Sequence, residues 1–195
     1  MYVPVSDTWP DYLETEGTRN RVGHLSVGVP GSLKSWCHLE QTRGRLGLEA
    51  VIQPAVRYAQ RGFSASAYLI ELIKDNVSTL RRYQATADTF LPGGEPPEPG
   101  APIVRADYAA TLRLVARQGP DVLYGGELGD AVVEDVARGG GILSLDDLVD
   151  YRIRFREPVR GTFRGYEIVS VAPTSAGGTH IIQVLNMLEE FDLAR

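Results

Sequence analysis

The chain has 195 residues, 43% of them hydrophobic and 23% charged, which is typical of a soluble globular protein with one good core or two small ones. Its net charge is −5, and Lys34 and Lys74 are its only lysines, so no lysine-rich face exists to neutralise phosphates. This excludes a general nucleic-acid or membrane-surface binder. A single cysteine, Cys37, excludes an internal disulfide and a cysteine-based zinc cluster. No apolar run approaches the roughly 20 residues of a membrane-spanning helix.

The first part of the chain predicts an irregular segment followed by helices. Residues 1–30 contain three prolines and little periodicity, which predicts an extended arm that lies on another surface. A helix is predicted next, with Ser32 as its N-cap and Gly44 at its end. Apolar residues at 48–59 keep helical spacing around Pro54, whose missing N–H interrupts the hydrogen-bond ladder. This pattern predicts two short helical pieces that meet at a kink.

A longer helix is predicted after the kinked pair, capped by Ser64 or Ser66. Its apolar stripe consists of Tyr68, Leu69, Leu72, Ile73, Val77 and Leu80. The following segment at 91–102, LPGGEPPEPGAP, is so rich in proline and glycine that it predicts a surface connection with neither helix nor sheet.

Three shorter helical segments come next. The first begins at Asp107 and runs to Gln118, before a Gly-Pro stop. The second spans roughly 127–138 and has a regular apolar side. The third starts in SLDD at 144–147, which resembles a capping box, and runs to about Tyr151.

The hydrophobic period changes after this point. Alternation at 152–156 predicts a strand with one solvated and one buried face. A second run at 162–164 leads into a third at 166–171, which is more apolar and therefore predicted to be more buried. Thr174 and Ser175 are positioned to cap a final helix. The interior of that helix is predicted to contain Ile181, Ile182, Val184, Leu185 and Leu188.

The predicted fold class is therefore α+β and helix-dominated, with a helical cluster followed by a few strands and a final helix. Three parts are predicted. They are an extended arm at 1–30, a helical domain at 31–151 and a strand-and-helix unit at 152–195.

The stretch VAPTSAGGTH at 171–180 is the densest cluster of small and polar residues beside a strand-to-helix junction. Ser175 there is a candidate nucleophile, but a nucleophile elbow needs a glycine two residues earlier, where Pro173 stands. A base would have to come from one of three histidines, and His180 is expected to point away from the helix. Helix capping is thus the simpler role for Ser175.

Other site chemistries find equally little support. Gly177 and Gly178 precede a helix and could donate N–H groups to an anion, but no P-loop lysine or third glycine accompanies them, and close packing against the strand is favoured. The histidines lack metal-ligand spacing, so no metal or cofactor site is predicted. Four arginines form a possible anion patch, for which a solvated strand face is the simpler interpretation: Arg152, Arg154, Arg156 and Arg160.

Several segments in order resemble the gamma-glutamyltranspeptidase (glutathione hydrolase) family. The resemblance covers about residues 24–193, and only the segment before the paired glycines, APTSA at 172–176, departs from the family pattern. The matching segments are VGVPGSLKSW (27–36), QPAVRYAQRGF (53–63), LPGGEPPEPG (91–100), ATLRLVARQGPDVLYGGELGDAVVEDV (110–136), GGILSLDDLVDYR (140–152), EPVRGTFRGYEIVSVAPTSAGG (157–178) and QVLNMLEEFDL (183–193).

The resemblance implies an N-terminal-nucleophile (Ntn) hydrolase with an αββα sandwich, made as a precursor that cuts itself into a large and a small subunit. The implied nucleophile is a threonine at the start of the small subunit, with its own amine as base. The implied reaction transfers a gamma-glutamyl group from an amide such as glutathione to water, an amino acid or a peptide. In family terms the chain matches the later part of the large subunit, and its partner is its own small subunit.

Carried over residue by residue, the resemblance assigns no catalytic residue to this chain. The nucleophile and oxyanion-hole glycines are expected beyond Arg195, and the carboxylate-binding arginine before Met1. The string HLSV at 24–27 echoes the sequence after the family's nucleophile, yet its VGVPGS context marks a large-subunit position, so Thr18 and Ser26 are rejected as nucleophiles. Four residues are predicted to support the site structurally: Thr174, Ser175, Gly177 and Gly178.

Two alternatives to this function stay open. One is a related amide acylase on the same scaffold, and the other is a noncatalytic helical scaffold or binding domain descended from the family. The chain alone is expected to be inactive and, because its strands at 153–171 lack a covering layer, to self-associate. The resemblance suggests a periplasmic or extracellular protein.

Overall fold

The computed structural model describes residues 21–192, so the predicted arm at 1–30 lies largely outside the described residues. The chain divides into two compact units with the boundary between Tyr151 and Arg152. In the described part of the arm, His24–Ser26 forms a 3-10 turn. No helix among residues 21–192 is long and apolar enough to cross a membrane.

The first unit consists mainly of helices. Two short strands, β1 (Phe63–Ser64) and β2 (Pro102–Ile103), pair antiparallel. Its helices are α1 (Ser32–Arg43), α2 (Leu48–Arg61), α3 (Ala67–Asp75), α4 (Val77–Leu80), α5 (Gln84–Phe90), α6 (Ala106–Gln118), α7 (Glu127–Arg138) and α8 (Leu145–Val149).

Two apolar clusters belong to the core of the described part of this unit, and α2 packs along α6. One cluster joins α3 to the β1–β2 pair and the other joins α7 to α8. The buried members are Ala65, Ile70, Ile73, Leu91 and Ile103 in the first cluster, and Val136, Leu143 and Leu148 in the second.

The predictions for the first two helices need correction. Ser32 is the first residue of α1 and Gly31 is its N-cap, whereas Gly44 ends the helix as predicted. The prediction of two short helical pieces is wrong, because α2 is one continuous helix with Pro54 inside it. Ala50 and Pro54 both lie on the exposed side, so solvent can hydrate the carbonyl that lacks an N–H partner.

The long helix predicted after Ser66 is interrupted. Ser66 caps α3 as one of the two predicted alternatives, accepting a hydrogen bond from the Leu69 N–H at 3.2 Å. The helix ends at Asp75, and the Asn76 side chain donates to the Leu72 carbonyl at 2.8 Å. This side-chain bond competes with the backbone ladder, so α4 begins anew. Tyr68, predicted in the apolar stripe, is exposed.

The proline-rich connection is more ordered than predicted. Pro92–Gly94 forms a 3-10 turn, and the segment ends in β2. Leu91 is buried in the first core cluster, which holds the start of the connection against the helices. Helix α5 was not predicted from the sequence, because Gln84–Phe90 carries no regular apolar stripe.

The three later helices agree with their predictions. Helix α6 ends at Gln118, with Gly119 as its C-cap, and α7 has the bounds expected from its apolar spacing. The capping box before α8 is confirmed. Ser144 Oγ accepts from the Asp147 N–H at 3.3 Å, and the Asp147 carboxylate accepts from the Ser144 N–H at 2.9 Å.

Removal of the Ser144 hydroxyl tests the capping box. Ser144→Ala is expected to lower the free energy of unfolding by about 1 kcal/mol, because an N-terminal N–H of α8 loses its partner. Urea denaturation of the chain measures the change. Ser175→Ala is the control, since Ser175 caps no helix, and an equal loss in both variants would contradict the assigned role.

The second unit, described over 152–192, contains a hairpin and one helix. The predicted strand at 152–156 is wrong, because this segment pairs with no strand among the described residues. Instead β3 (Val159–Phe163) pairs antiparallel with β4 (Tyr166–Ser170). The residues between them have positive φ, 47° at Arg164 and 84° at Gly165, as a type I′ turn requires.

Burial in the hairpin also differs from the prediction. The run at 166–171 was expected to be the more buried, yet Tyr166, Val169 and Val171 are all exposed. Helix α9 (Gly177–Leu188) packs against one face of the hairpin. The described chain is therefore helix-dominated with few strands, as the sequence predicts.

Candidate functional site

The predicted supporting residues lie in the joint between β4 and α9. Thr174, Ser175 and Gly177 are exposed there, whereas Gly178 is buried. The Ser175 N–H donates to the Ala172 carbonyl at 3.3 Å, which closes a turn, and the Pro173–Thr174 peptide bond is cis. The N-cap of α9 is Ala176 and makes no side-chain hydrogen bond, so the predicted caps, Thr174 and Ser175, are wrong.

At Gly178 the backbone of α9 lies close to the strands. A Cβ atom at this position would stand 2.4 Å from the Val171 carbonyl oxygen, 2.9 Å from Ser170 Oγ and 2.9 Å from Val159 Cγ2. At Gly177 the nearest atom would be Ser175 Oγ at 3.6 Å, an ordinary contact. The geometry thus favours close packing as the role of Gly178, because a side chain cannot fit there.

The joint contains no assembled nucleophile and base. Among residues 21–192 no hydrogen bond connects Ser175 to His180, and both side chains are exposed. Among the described residues, no three histidine, cysteine, aspartate or glutamate side chains lie close enough together to bind a metal ion. Ser26, rejected from the sequence as a nucleophile, donates to the Gly23 carbonyl at 2.7 Å, and Thr18 lies outside the described residues.

The hairpin arginines make structural contacts. Arg160, in the predicted anion patch, pairs across the strands with Glu167 at 2.6 Å. Arg164 was not singled out from the sequence. Its N–H donates to Glu189 Oε1 at 2.9 Å, and its guanidinium donates to the Phe191 carbonyl at 2.9 Å. These bonds connect the tip of the hairpin to the end of α9.

A second polar cluster, in the first unit, was not predicted from the sequence. The Tyr124 hydroxyl accepts from the Lys34 N–H at 3.1 Å and donates to the Pro30 carbonyl. The Lys34 ammonium donates to the Tyr151 carbonyl at 2.9 Å and lies 4.5 Å from the centre of the Tyr124 ring. A Cβ on Gly31 would stand 2.0 Å from the Tyr151 hydroxyl.

This cluster, called the tyrosine clamp below, consists of Pro30, Gly31, Lys34, Tyr124 and Tyr151. The two tyrosine rings stack with centres 5.8 Å apart. Burial raises the pKa of the Tyr124 phenol, so it stays a neutral donor. The clamp holds the VPGS turn at the start of α1. No periodic pattern could have revealed it, because its aromatic members are about 90 to 120 residues from Lys34 in sequence.

An open cleft of about 510 Å³ adjoins the clamp. Glycines, one valine, two serines and two aromatic residues line it, and none of these described residues carries a carboxylate or a cationic group. The lining residues are Gly28, Val29, Gly31, Ser32, Ser35, Trp36 and Tyr151.

Comparison with known proteins identifies the family. Residues 4–195 match the family described as gamma-glutamyltranspeptidase. The chain is 46% identical over 99% of its length to the acylase ACY 1 proenzyme of Pseudomonas sp. (strain SE83), and 32% identical over 98% to the glutathione hydrolase proenzyme of Escherichia coli (strain K12). It spans 35% and 34% of those proteins, about a third of their length.

A solved structure shows the same fold. The crystal structure of Helicobacter pylori gamma-glutamyltranspeptidase superimposes with a TM-score of 0.88 at 32% identity, over 92% of this chain and 52% of that one. The sequence match extends over nearly every residue and agrees with the structural similarity. The chain belongs to the gamma-glutamyltranspeptidase family.

Proposed function

We propose that this chain is part of the large subunit of a self-cleaving Ntn hydrolase that acts on gamma-glutamyl amides such as glutathione. The family match over residues 4–195 carries the proposal. The nucleophile is a threonine on the small subunit, freed by cleavage of the precursor and activated by its own amine. Its hydroxyl attacks the amide carbonyl, the amine leaves, and water or an amino acid then accepts the glutamyl group from the ester.

The contribution of this chain is structural. The relatives are named proenzymes, and the chain spans about a third of them. The described residues offer no hydrogen-bonded nucleophile and base at the β4–α9 joint, which supports an inactive fragment. Thr174, Ser175, Gly177 and Gly178 support a pocket whose reacting groups come from the remaining polypeptide.

The domain assignment belongs to the same proposal. Residues 31–151 act as the helical domain of the large subunit. The hairpin and α9 at 152–195 contribute one helix and two strands to an αββα sandwich that the rest of the protein completes. Packing of α9 on one face of the hairpin supports this arrangement, since it is the contact of a helical layer with a sheet.

A related acylase is the second candidate function. It is favoured by the 46% identity to a protein named an acylase, against 32% to a glutathione hydrolase. The two functions differ in what the acyl pocket must recognise. A gamma-glutamyl group carries an α-ammonium, which a glutaryl group lacks. Two substrates that differ only in this group therefore test whether the pocket recognises the ammonium charge.

Turnover of gamma-glutamyl-p-nitroanilide and glutaryl-p-nitroanilide by the full-length protein tests the proposal. Preference for the gamma-glutamyl substrate is expected, and preference for the glutaryl substrate would assign the acylase instead. Inactivity of a correctly cleaved protein on both would favour a noncatalytic scaffold. The 195-residue chain is expected to show no turnover, and activity that disappears in Ser175→Ala would refute the assignment of the nucleophile to the small subunit.

A further inference from the structure

Helix α9 has two apolar sides. The inner side packs on the hairpin, where Gly178 touches the strands and Ile182 reaches Gly161. The outer side carries Ile181, Val184 and Met187, which recur every third residue and are 52%, 47% and 61% exposed. Polar residues such as Gln183 separate the two sides along one edge. A helix with apolar residues on two sides is typical of an element buried between two layers.

The hairpin face opposite α9 is of a different character. Register places Arg160 opposite Val169 and Thr162 opposite Glu167, and Arg160 pairs with Glu167 across the strands. This face is therefore mixed and partly charged. The outer side of α9 carries no charged pair, although the exposed His180 lies on the same side as Val184, and Phe191, 62% exposed, follows the end of the helix.

We propose that the outer side of α9 is an intramolecular docking surface, covered by an apolar face of the same precursor outside this chain. The inference rests on the proposed function, in which the chain is part of a longer proenzyme. The 193 aligned residues make up 35% of the Pseudomonas acylase precursor, so most of such a precursor is available as the cover. Four side chains fall short of the ~800 Å² that each partner buries in a stable dimer, which argues against a second copy.

Cysteine labelling measures whether the surface is covered. Val184→Cys is made in the 195-residue chain and in the full-length protein, and modification by a maleimide is followed by peptide mass spectrometry. The native thiol of Cys37 is buried and gives little background. Gln183→Cys, one residue away on the polar edge, is the matched control, and Met187→Cys repeats the test on the same side.

Val184→Cys and Met187→Cys are expected to react about tenfold more slowly in the full-length protein than in the chain, as burial requires local opening before reaction. Gln183→Cys should react at similar rates in both. Equal labelling of Val184→Cys in the two proteins would overturn the proposal, as would protection of Gln183→Cys to the same degree. Slow labelling in the chain alone, together with a dimer by light scattering, would assign the surface to a second copy.

The substrate assays are independent of this readout. A full-length protein that is inactive on both anilides but protects Val184→Cys refutes the proposed function and keeps the docking surface. A full-length protein that is active on an anilide but labels freely at Val184→Cys keeps the proposed function and refutes the docking surface.

Discussion

Replacing Gly178 with alanine is expected to destabilise the hairpin and α9 by about 2 kcal/mol, because overpacking a close contact typically costs 1–3 kcal/mol. The new methyl group would stand 2.4 Å from the Val171 carbonyl oxygen, a backbone atom that cannot rotate away. Helix and strand would have to separate, and the contact between Gly161 and Ile182 would loosen with them.

Hydrogen exchange of peptides from Val159–Ser170 measures this local stability in the chain. A loss of 2 kcal/mol corresponds to roughly 30-fold faster exchange of protected amides. Gly177→Ala is the matched control, since its Cβ meets no atom closer than 3.6 Å and is expected to change stability by less than about 0.5 kcal/mol. Equal exchange in the two variants would show that the close approach at Gly178 does not exist.

Removing the Tyr124 hydroxyl is expected to cost about 2 kcal/mol of unfolding free energy, because both of its partly buried hydrogen bonds are lost. The Lys34 N–H at the start of α1 and the Pro30 carbonyl would each lose a partner. Tyr124→Phe keeps the ring and its stacking on Tyr151, so the loss reports the hydroxyl alone. Tyr68→Phe, at an exposed position, is the control and should leave the urea midpoint unchanged.

The clamp also predicts a pH dependence. Burial raises the pKa of folded Tyr124 above its ordinary value of 10.0, so the stability it contributes is complete below pH 10. As the pH rises above 10 the unfolded phenol ionises first, and this contribution is lost as the pH passes through the folded pKa. Stability of the wild-type chain should therefore fall more steeply in this range than that of Tyr124→Phe. Parallel profiles would contradict a buried neutral phenol.

Interactions between residues close in sequence were sufficient to predict several elements of the fold. The capping box at Ser144 was predicted because its two hydrogen bonds join residues three apart, and α7 because one apolar side repeats along consecutive turns. The positive-φ turn at Arg164-Gly165 was not predicted as such, yet Gly165 marked the boundary between the two runs that became β3 and β4. Family membership likewise followed from sequence segments that match the family in the same order along the chain.

Tertiary structure decided the features that depend on distant partners. The run at 152–156 has the alternation of a strand, but a strand also needs a paired strand beside it, and no described strand pairs with this run. Pro54 remains inside α2 because the unpaired carbonyl faces solvent while Val56 and Ala59 are buried. The tyrosine clamp joins residues from three separated segments, and only the folded chain brings them within hydrogen-bonding distance.

The β4–α9 joint shows both what the sequence could predict and what only the tertiary structure decided. Its small residues indicated a close approach of helix and strand, since glycine at a helix start allows one. The position of the Val171 carbonyl relative to α9 decides that Gly178, and not Gly177, makes the contact. The N-cap is Ala176 and not Thr174 or Ser175, which only the folded chain shows. Sequence determines which backbone conformations are possible at each residue, whereas packing between elements determines which of them is adopted.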